Sequence, residues 1–263
     1  MATLPGVTIV YERRGSGSPL VLLHGIGHRW QAWDPVLDHL AKFHDVIALD
    51  LPGFGQSSRM ARYDMPAFVD ALAGFFDQRG LDRPHVAGSS LGGAVALELA
   101  AAGHVASTTA LAPAGFWRFS EKNYALAILM FHRMLGYMPK SAVVPFLSTP
   151  RRRRLTCWAM YGRPELLDPS VPYEDLRGLR QGSGFLPVTW ASRGYSYTGS
   201  PQGPVTVVWG AKDRILPRRQ AERARVQLPD ARHVLLPGCG HLPMHDAPDL
   251  VAQLILDTTG GAV

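Results

Sequence analysis

Apolar and polar positions fall into blocks that switch between a strand-like period of two and a helix-like period near 3.6. Residues 7–12 and 19–23 are short β-type runs separated by Gly15-Ser16-Gly17-Ser18, a turn-forming tetrapeptide that predicts a hairpin. Residues 33–43 carry Val36, Leu37 and Leu40 at helical spacing, 45–49 read as a short buried strand, and 66–78 are helical again. Then 85–87 read as strand, 91–102 as a helix rich in Ala and Leu, and 107–111 as strand. The alternation resumes after residue 200, with strands at 205–209 and 233–235 and helices at 217–227 and 249–257. This order predicts an α/β fold with a mostly parallel central sheet and helices on both faces. Ligands of such sheets bind beyond the carboxyl ends of the strands.

Residues 115–200 interrupt the pattern, and their composition differs from the flanks. They hold twelve Lys and Arg against five Asp and Glu, a balance of +7 in a chain whose net charge is +6. They also hold 14 of the 24 aromatic residues and four of the eight Met. An inserted subdomain is expected, with a core at 1–114 and 201–263 and a helical cap at 115–200. Across all 263 residues, 46% apolar and 18% charged content excludes a disordered chain, and no apolar run reaches the roughly 18 residues of a span, so no stable membrane insertion is expected. Two cysteines, Cys157 and Cys239, cannot build a disulfide framework. The first fifteen residues carry charge where a signal peptide would be apolar, so cytoplasmic residence is expected.

Chemistry is sought where strands end. The strand at 85–87 runs into Gly88-Ser89-Ser90-Leu91-Gly92, a G-x-S-x-G pattern between strand and helix. Such a turn holds Ser90 exposed on strained backbone, and the helix start at Leu91 offers a free N–H to developing negative charge. A serine hydroxyl is a weak nucleophile and needs a base oriented by a third group. Asp213 follows the strand at 205–209, and His241 follows that at 233–235 in the glycine-rich Pro237-Gly238-Cys239-Gly240-His241. Taken singly, Asp213 reads as well as a turn or capping carboxylate and His241 as a surface loop histidine; together with Ser90 they form an ordered Ser, Asp, His set.

These motifs resemble those of the α/β-hydrolase fold superfamily over nearly the whole chain. Its H-G-x is matched by His24-Gly25-Ile26, its D-x-P-G-x-G-x-S turn by Asp50, Pro52, Gly53, Gly55 and Ser57, and its W-G-x-x-D and G-H-x-P signatures by the segments around Asp213 and His241. The resemblance implies Ser90 as nucleophile, His241 as base, Asp213 as its orienter, the Ile26 and Leu91 amides as oxyanion hole, and a structural Asp50. It implies a cofactor-free serine esterase acting on a small-molecule ester or acyl substrate. Epoxide hydrolases and haloalkane dehalogenases of similar layout carry an aspartate where Ser90 stands. Carbon–carbon bond hydrolases of aromatic degradation usually have a tryptophan soon after the catalytic histidine, where this chain has Leu242-Pro243-Met244. That reading is the alternative, with a perhydrolase or acyltransferase and a non-catalytic ligand-binding member of the fold beside it.

Residues 124–138 are apolar around most of a helix, so one side is expected to pack within the cap and the other to roof a cavity over Ser90. His28, Trp30, Phe116, Trp117, Phe131 and Met134 are the candidate pocket residues. The pairs His24/His28 and His241/His245 have i, i+4 spacing but lie in Gly- and Pro-bearing loops, so no metal is expected. The run Arg151 to Arg154 reads as a solvated helix face and no nucleic-acid partner is expected. Cys239 reads as a loop thiol and Glu98 as a surface or capping residue. The oligomeric state stays open.

Overall fold

The computed structural model describes residues 1–4 and 7–260; Pro5, Gly6 and residues 261–263 of the expected core segments lie outside the described residues. The strands are β1 (Ala2–Leu4), β2 (Val7–Ile9), β3 (Tyr11–Arg14), β4 (Pro19–Leu23), β5 (Asp45–Leu49), β6 (His85–Ser89), β7 (Thr108–Leu111), β8 (Val205–Gly210) and β9 (Arg232–Leu236). The first two form a small antiparallel ribbon, and the other seven make one sheet in the order β3-β5-β4-β6-β7-β8-β9. Every pairing from β5 across to β9 is parallel. The expected hairpin does not form: β3 pairs antiparallel with β5, not with β4. Gly15 takes a positive φ of 86° beside the Ala41 and His44 carbonyls, and the chain crosses over there to leave β5 between its neighbours.

The core helices are α1 (Asp34–Leu40), α2 (Met65–Arg79) and α3 (Leu91–Ala101). Helices α4 (Phe119–Leu135), α5 (Lys140–Leu147), α6 (Pro150–Thr156), α7 (Ser170–Gln181) and α8 (Phe185–Ala191) follow, all between β7 and β8. The chain closes with α9 (Arg219–Gln227), α10 (Pro243–Asp246) and α11 (Pro248–Thr259). Helix α1 packs on α11 and α2 on α3, while β5, β7 and β8 between them are buried along their whole length. Small side chains let α3 lie close to β4, β6 and β7; Gly92, Gly93, Ala94, Ala96 and Ala100 on it are all buried. No helix among the described residues is long and apolar enough to cross a membrane.

The inserted helices depart from expectation in two places. Helix α4 begins at Phe119, five residues before the expected start, because the Arg118 amide donates to Glu121 at 2.8 Å and closes the first turn. Gly136 then ends the helix, so Tyr137 and Met138 lie beyond it. The arginine run is not uniformly solvated. Arg153 is 6% exposed and donates to the carbonyls of Leu147, Ser148, Pro164 and Glu165 at 2.7–3.1 Å. Its guanidinium thus closes α5 and α6 against the chain that follows them.

Arg153→Met would leave several buried carbonyls without a donor, at about 1–3 kcal/mol each. Urea unfolding should show a loss of about 3 kcal/mol or more, against less than about 0.5 kcal/mol for Arg151→Met on the exposed face. Equal small losses would mean that the carbonyls find other partners.

Candidate functional site

At the end of β6 the chain turns into α3 within one residue, and Ser90 takes the left-handed φ of 54° with ψ of −110°. Such backbone is of order 1–3 kcal/mol above relaxed geometry and persists only where its surroundings fix it. Here they do. A Cβ on Gly88 would stand 2.1 Å from the Gly92 carbonyl oxygen, and one on Gly92 would stand 2.2 Å from that of Leu23. The Ser90 amide donates to Leu111 at 2.9 Å, and the amides of Ala94 and Ala114 donate to its carbonyl at 3.0 and 3.1 Å.

The turn after β4 lies against this serine: a Cβ on Gly25 would come 3.3 Å from Ser90 Cβ. Ser90, Ile26 and Leu91 line one cavity of about 270 Å³ whose walls are mainly apolar, including Trp117, Leu126, Leu129 and Ile215. The Ile26 and Leu91 amides donate to no group among the described residues. Two unspent N–H groups, one of them at a helix N-terminus, suit a site where an oxygen gains negative charge.

Asp213 and His241 stand on the loops after β8 and β9. Asp213 Oδ1 accepts from the amides of Ile215 and Leu216 at 2.9 and 2.8 Å, and Oδ2 accepts from His241 Nδ1 at 2.8 Å. Both residues are buried. A carboxylate only accepts, so Nδ1 carries the proton and Nε2 is left as the basic nitrogen. No hydrogen bond joins Nε2 to Ser90 Oγ among the described residues.

The two loops lock together through missing side chains. A Cβ on Gly210 would meet the Gly240 carbonyl oxygen at 2.0 Å, and one on Gly162 of the inserted segment would meet that of Gly238 at 1.9 Å. The Lys212 amide donates to Cys239 at 2.8 Å. Asp246, which the sequence reading missed, accepts from the amides of Gly162 and Gly240 at 2.8 Å and of Arg163 at 3.0 Å. One carboxylate therefore ties the His241 loop to the inserted segment.

The model of the alpha/beta hydrolase family matches residues 20–254. The chain belongs to the alpha/beta hydrolase family. It is 32% identical, over 96% of its length, to a dihydrolipoyllysine-residue acetyltransferase component of the acetoin cleaving system from Cupriavidus necator, and 30% identical to the Pseudomonas putida component over 91%. It spans 67% and 63% of those two proteins. A pimeloyl-[acyl-carrier protein] methyl ester esterase from Nitrosomonas europaea is 27% identical over 92% of this chain and 96% of its own. The crystal structure of a bacterial membrane phospholipase A superposes with a TM-score of 0.79 at 27% identity, covering 99% of this chain and 84% of the other.

In this family member the candidate pocket residues separate. Trp117 lines the Ser90 cavity. Phe116 is buried against Tyr197 with ring centroids 5.5 Å apart, and Trp30 packs beneath Arg14. Phe131 lies on the far side of α4, lining a second cavity, and Met134 is 60% exposed. The face of α4 toward Ser90 is instead Ala125, Leu126 and Leu129. His28 sits behind the Gly25–Ile26 turn, with Nε2 3.6 Å from Asp175 of α7, and Tyr161 donates to that same carboxylate. Helix α7 also meets the turn directly: a Cβ on Gly178 would stand 2.3 Å from the Gly27 carbonyl oxygen. A glycine inside an otherwise amphipathic helix was the one sequence signal for this contact. Glu98, expected at the surface, accepts from Tyr195 of the cavity wall at 3.0 Å, and burial raises its pKa. Cys239 is buried, which pushes its thiol up to about 11.

His24 braces the turn from below. Its Nδ1 lies 2.7 Å from the Gly25 carbonyl, Nε2 accepts from the Leu51 amide at 2.9 Å, and burial lowers its pKa to about 3. Between about pH 6.5 and 3 the unfolded chain binds a proton here that the folded chain does not, so stability falls with pH by up to about 1.4 kcal/mol per unit. His24→Asn should be less stable than wild type at pH 7 but lose stability less steeply between pH 6.5 and 4 in urea unfolding. Parallel slopes would show that the folded protein protonates His24.

Proposed function

We propose that the protein is a serine hydrolase that cleaves the ester, or a related acyl bond, of a small and largely apolar substrate. The observation that carries this reading is Ser90, held at positive φ in an apolar cavity beside two unspent amides, with the hydrogen-bonded Asp213–His241 pair at the same sheet edge. His241 Nε2 takes the Ser90 proton as Oγ bonds to the substrate carbonyl carbon, and Asp213 stabilises the imidazolium through Nδ1. The Ile26 and Leu91 amides hold the carbonyl oxygen as it becomes an oxyanion. Collapse breaks the bond to the leaving alcohol, which takes the proton from Nε2. Water then repeats the sequence to release the acid. The Ser90–His241 contact closes when substrate fills the cavity, since catalytic hydrogen bonds are often long in free enzymes.

Residues 115–200 act as a cap that selects the substrate, with Leu126 and Leu129 of α4 and Val188 of α8 supplying the roof. A cavity of about 270 Å³ lies at the small end of ligand sites and favours short acyl groups. Phe131 and Met134, expected to line this pocket, do not line it and do not enlarge it. Acyl transfer to an alcohol or thiol in place of water is the second reading, favoured by the similarity to the two acetyltransferase components.

Ser90→Ala and His241→Ala should each abolish most turnover of p-nitrophenyl acetate and butyrate, and a fluorophosphonate should label wild type but not Ser90→Ala. Asp213→Asn should lose on the order of 10⁴-fold in kcat. Wild-type turnover in Ser90→Ala would overturn the mechanism, and ester products formed with added alcohol would identify transfer.

Gly178→Ala tests whether α7 sets the oxyanion turn. The added methyl pushes on the Gly27 carbonyl, and misplacement of a catalytic group by about 1 Å costs on the order of 10²-fold. A fall of at least about tenfold in kcat with KM within about twofold is expected; unchanged kcat in a folded variant would separate the turn from α7.

A further inference from the structure

Helix α4 is apolar on two faces, and only one of them serves Ser90. The opposite face, with α5, α6 and α7, borders a second, half-open cavity of about 860 Å³, about three times the volume of the first. Its walls are aliphatic and aromatic: Ile128 and Phe131 of α4, Phe146 of α5, Leu155 of α6, Trp158, and Leu176 of α7. No carboxylate lines it. Phe131 and Leu155 on its walls are 60% and 75% exposed, so apolar surface here faces solvent, and nothing in the reaction at Ser90 calls for it.

Two arginines stack on aromatic walls of this cavity, and one of them, Arg214, also lines a neighbouring pocket with Glu165 and Lys212. Phe146 and Trp158 are 46% and 40% exposed, and each carries a guanidinium over its ring: Arg152 stands 5.0 Å above Phe146 and Arg214 stands 5.0 Å above Trp158. Neither arginine pairs with a carboxylate among the described residues. Their neighbour Arg154 does, with Glu165 at 3.0 Å. The wall also contains His132, whose Nδ1 lies 2.8 Å from the Ile128 carbonyl while Nε2 is buried with no partner among the described residues. A half-open apolar cavity with unpaired cations stacked on two of its wall aromatics matches an amphiphile with one aliphatic tail and an anionic head.

We propose that this second cavity binds a long-chain alkyl carboxylate, the tail among Ile128, Phe131 and Leu176 and the carboxylate at Arg152 and Arg214. The tail supplies affinity by leaving water, and the guanidinium groups select the charged head. The site is separate from Ser90, so the proposal stands whether or not the hydrolase reading does. A volume of this order is within the range of sites that enclose whole small ligands.

The test is calorimetric titration of the full chain with octanoate, decanoate, dodecanoate and tetradecanoate, each below its micelle concentration, with 1-tetradecanol as the uncharged comparison. One equivalent should bind, tightening by up to about fourfold per added methylene. Ile128→Trp, which fills the cavity, should abolish binding, while Leu126→Trp, on the Ser90 face of the same helix, should retain it. Should Ile128→Trp fail to fold, Ala127→Phe, at a more exposed wall position, fills the same space. Arg152→Ala with Arg214→Ala should weaken tetradecanoate by at least about tenfold and leave 1-tetradecanol unchanged. Loss of binding in Leu126→Trp but not in Ile128→Trp would place the ligand over Ser90 and overturn the proposal. So would equal affinity for acid and alcohol in both wild type and the arginine variant. Absence of binding overturns it as well, whether accompanied by a dimer in light scattering, which would make a second copy the occupant, or by cosedimentation with phosphatidylglycerol vesicles, which would make this face a membrane contact.

Discussion

A strand can run into a helix through a single residue only if the backbone on either side carries no Cβ, and the geometry of this protein's working edge follows from that constraint at Ser90. Gly88 and Gly92 approach to a distance at which any side chain would collide with a carbonyl oxygen. The same approach seats α3 against β4, β6 and β7, so the residue at the turn is strained by the packing of the sheet itself. The strain needs no local device to maintain it. Relaxing Ser90 would require lifting a buried helix from three strands, which couples the serine's position to the stability of the core.

Loops at the sheet edge are ordered by a second means, carboxylates that accept from backbone amides. Asp50 takes the amides of Trp30 and Gln56 at 2.8 Å, Asp213 takes those of Ile215 and Leu216, and Asp246 takes three. Loop amides have no ladder to join, and leaving them unpaired in a buried setting is costly. Each aspartate therefore fixes a loop through the amides it accepts from. In Asp213 one oxygen holds its own loop while the other receives His241, so the orientation of the imidazole is inherited from the main chain beyond β8. Burial raises the pKa of Asp50, the amides of Gln56 and Trp30 act against it, and its role is architectural.

The alternation of strands and helices was legible in the sequence because each element is a local pattern, although the run expected at 7–12 divides into β2 and β3 of two different sheets and α4 begins five residues early. Pairing was not, because it is a property of crossovers: β3 and β4 are adjacent in the chain and separated by β5 in the sheet. The G-x-S-x-G, His24-Gly25 and Gly240-His241 segments were legible since each motif records a steric demand in its glycines. Asp175, Gly178 and Asp246 were not, because the partners they reach across the fold, His28, Gly27 and Gly162, lie 84 or more residues away and no short spacing encodes them. Phe131 and Met134 show the remaining limit. A helix apolar all round announces that both sides are covered, but the sequence carries no mark of which side faces Ser90.

The positive charge of the inserted segment, and of the core residues it meets, divides by the same logic. Arg153 is consumed by four carbonyls, and Glu121 gathers Arg219 and Arg223 of α9, so these cations close the structure and offer nothing to a ligand. Arg177 and Arg154 are paired at the surface, where such pairs contribute little. No Lys or Arg lines the cavity at Ser90, whose one charged wall residue is Asp64, paired with Arg62. The excess charge is therefore absent from the place where the chemistry is proposed. Arg152 and Arg214 pair with no carboxylate among the described residues, and both rest on aromatic rings that hold their guanidinium groups without neutralising them. A cation positioned in this way keeps its charge available, whereas one buried on carbonyls has spent it, and the count of arginines alone cannot distinguish the two.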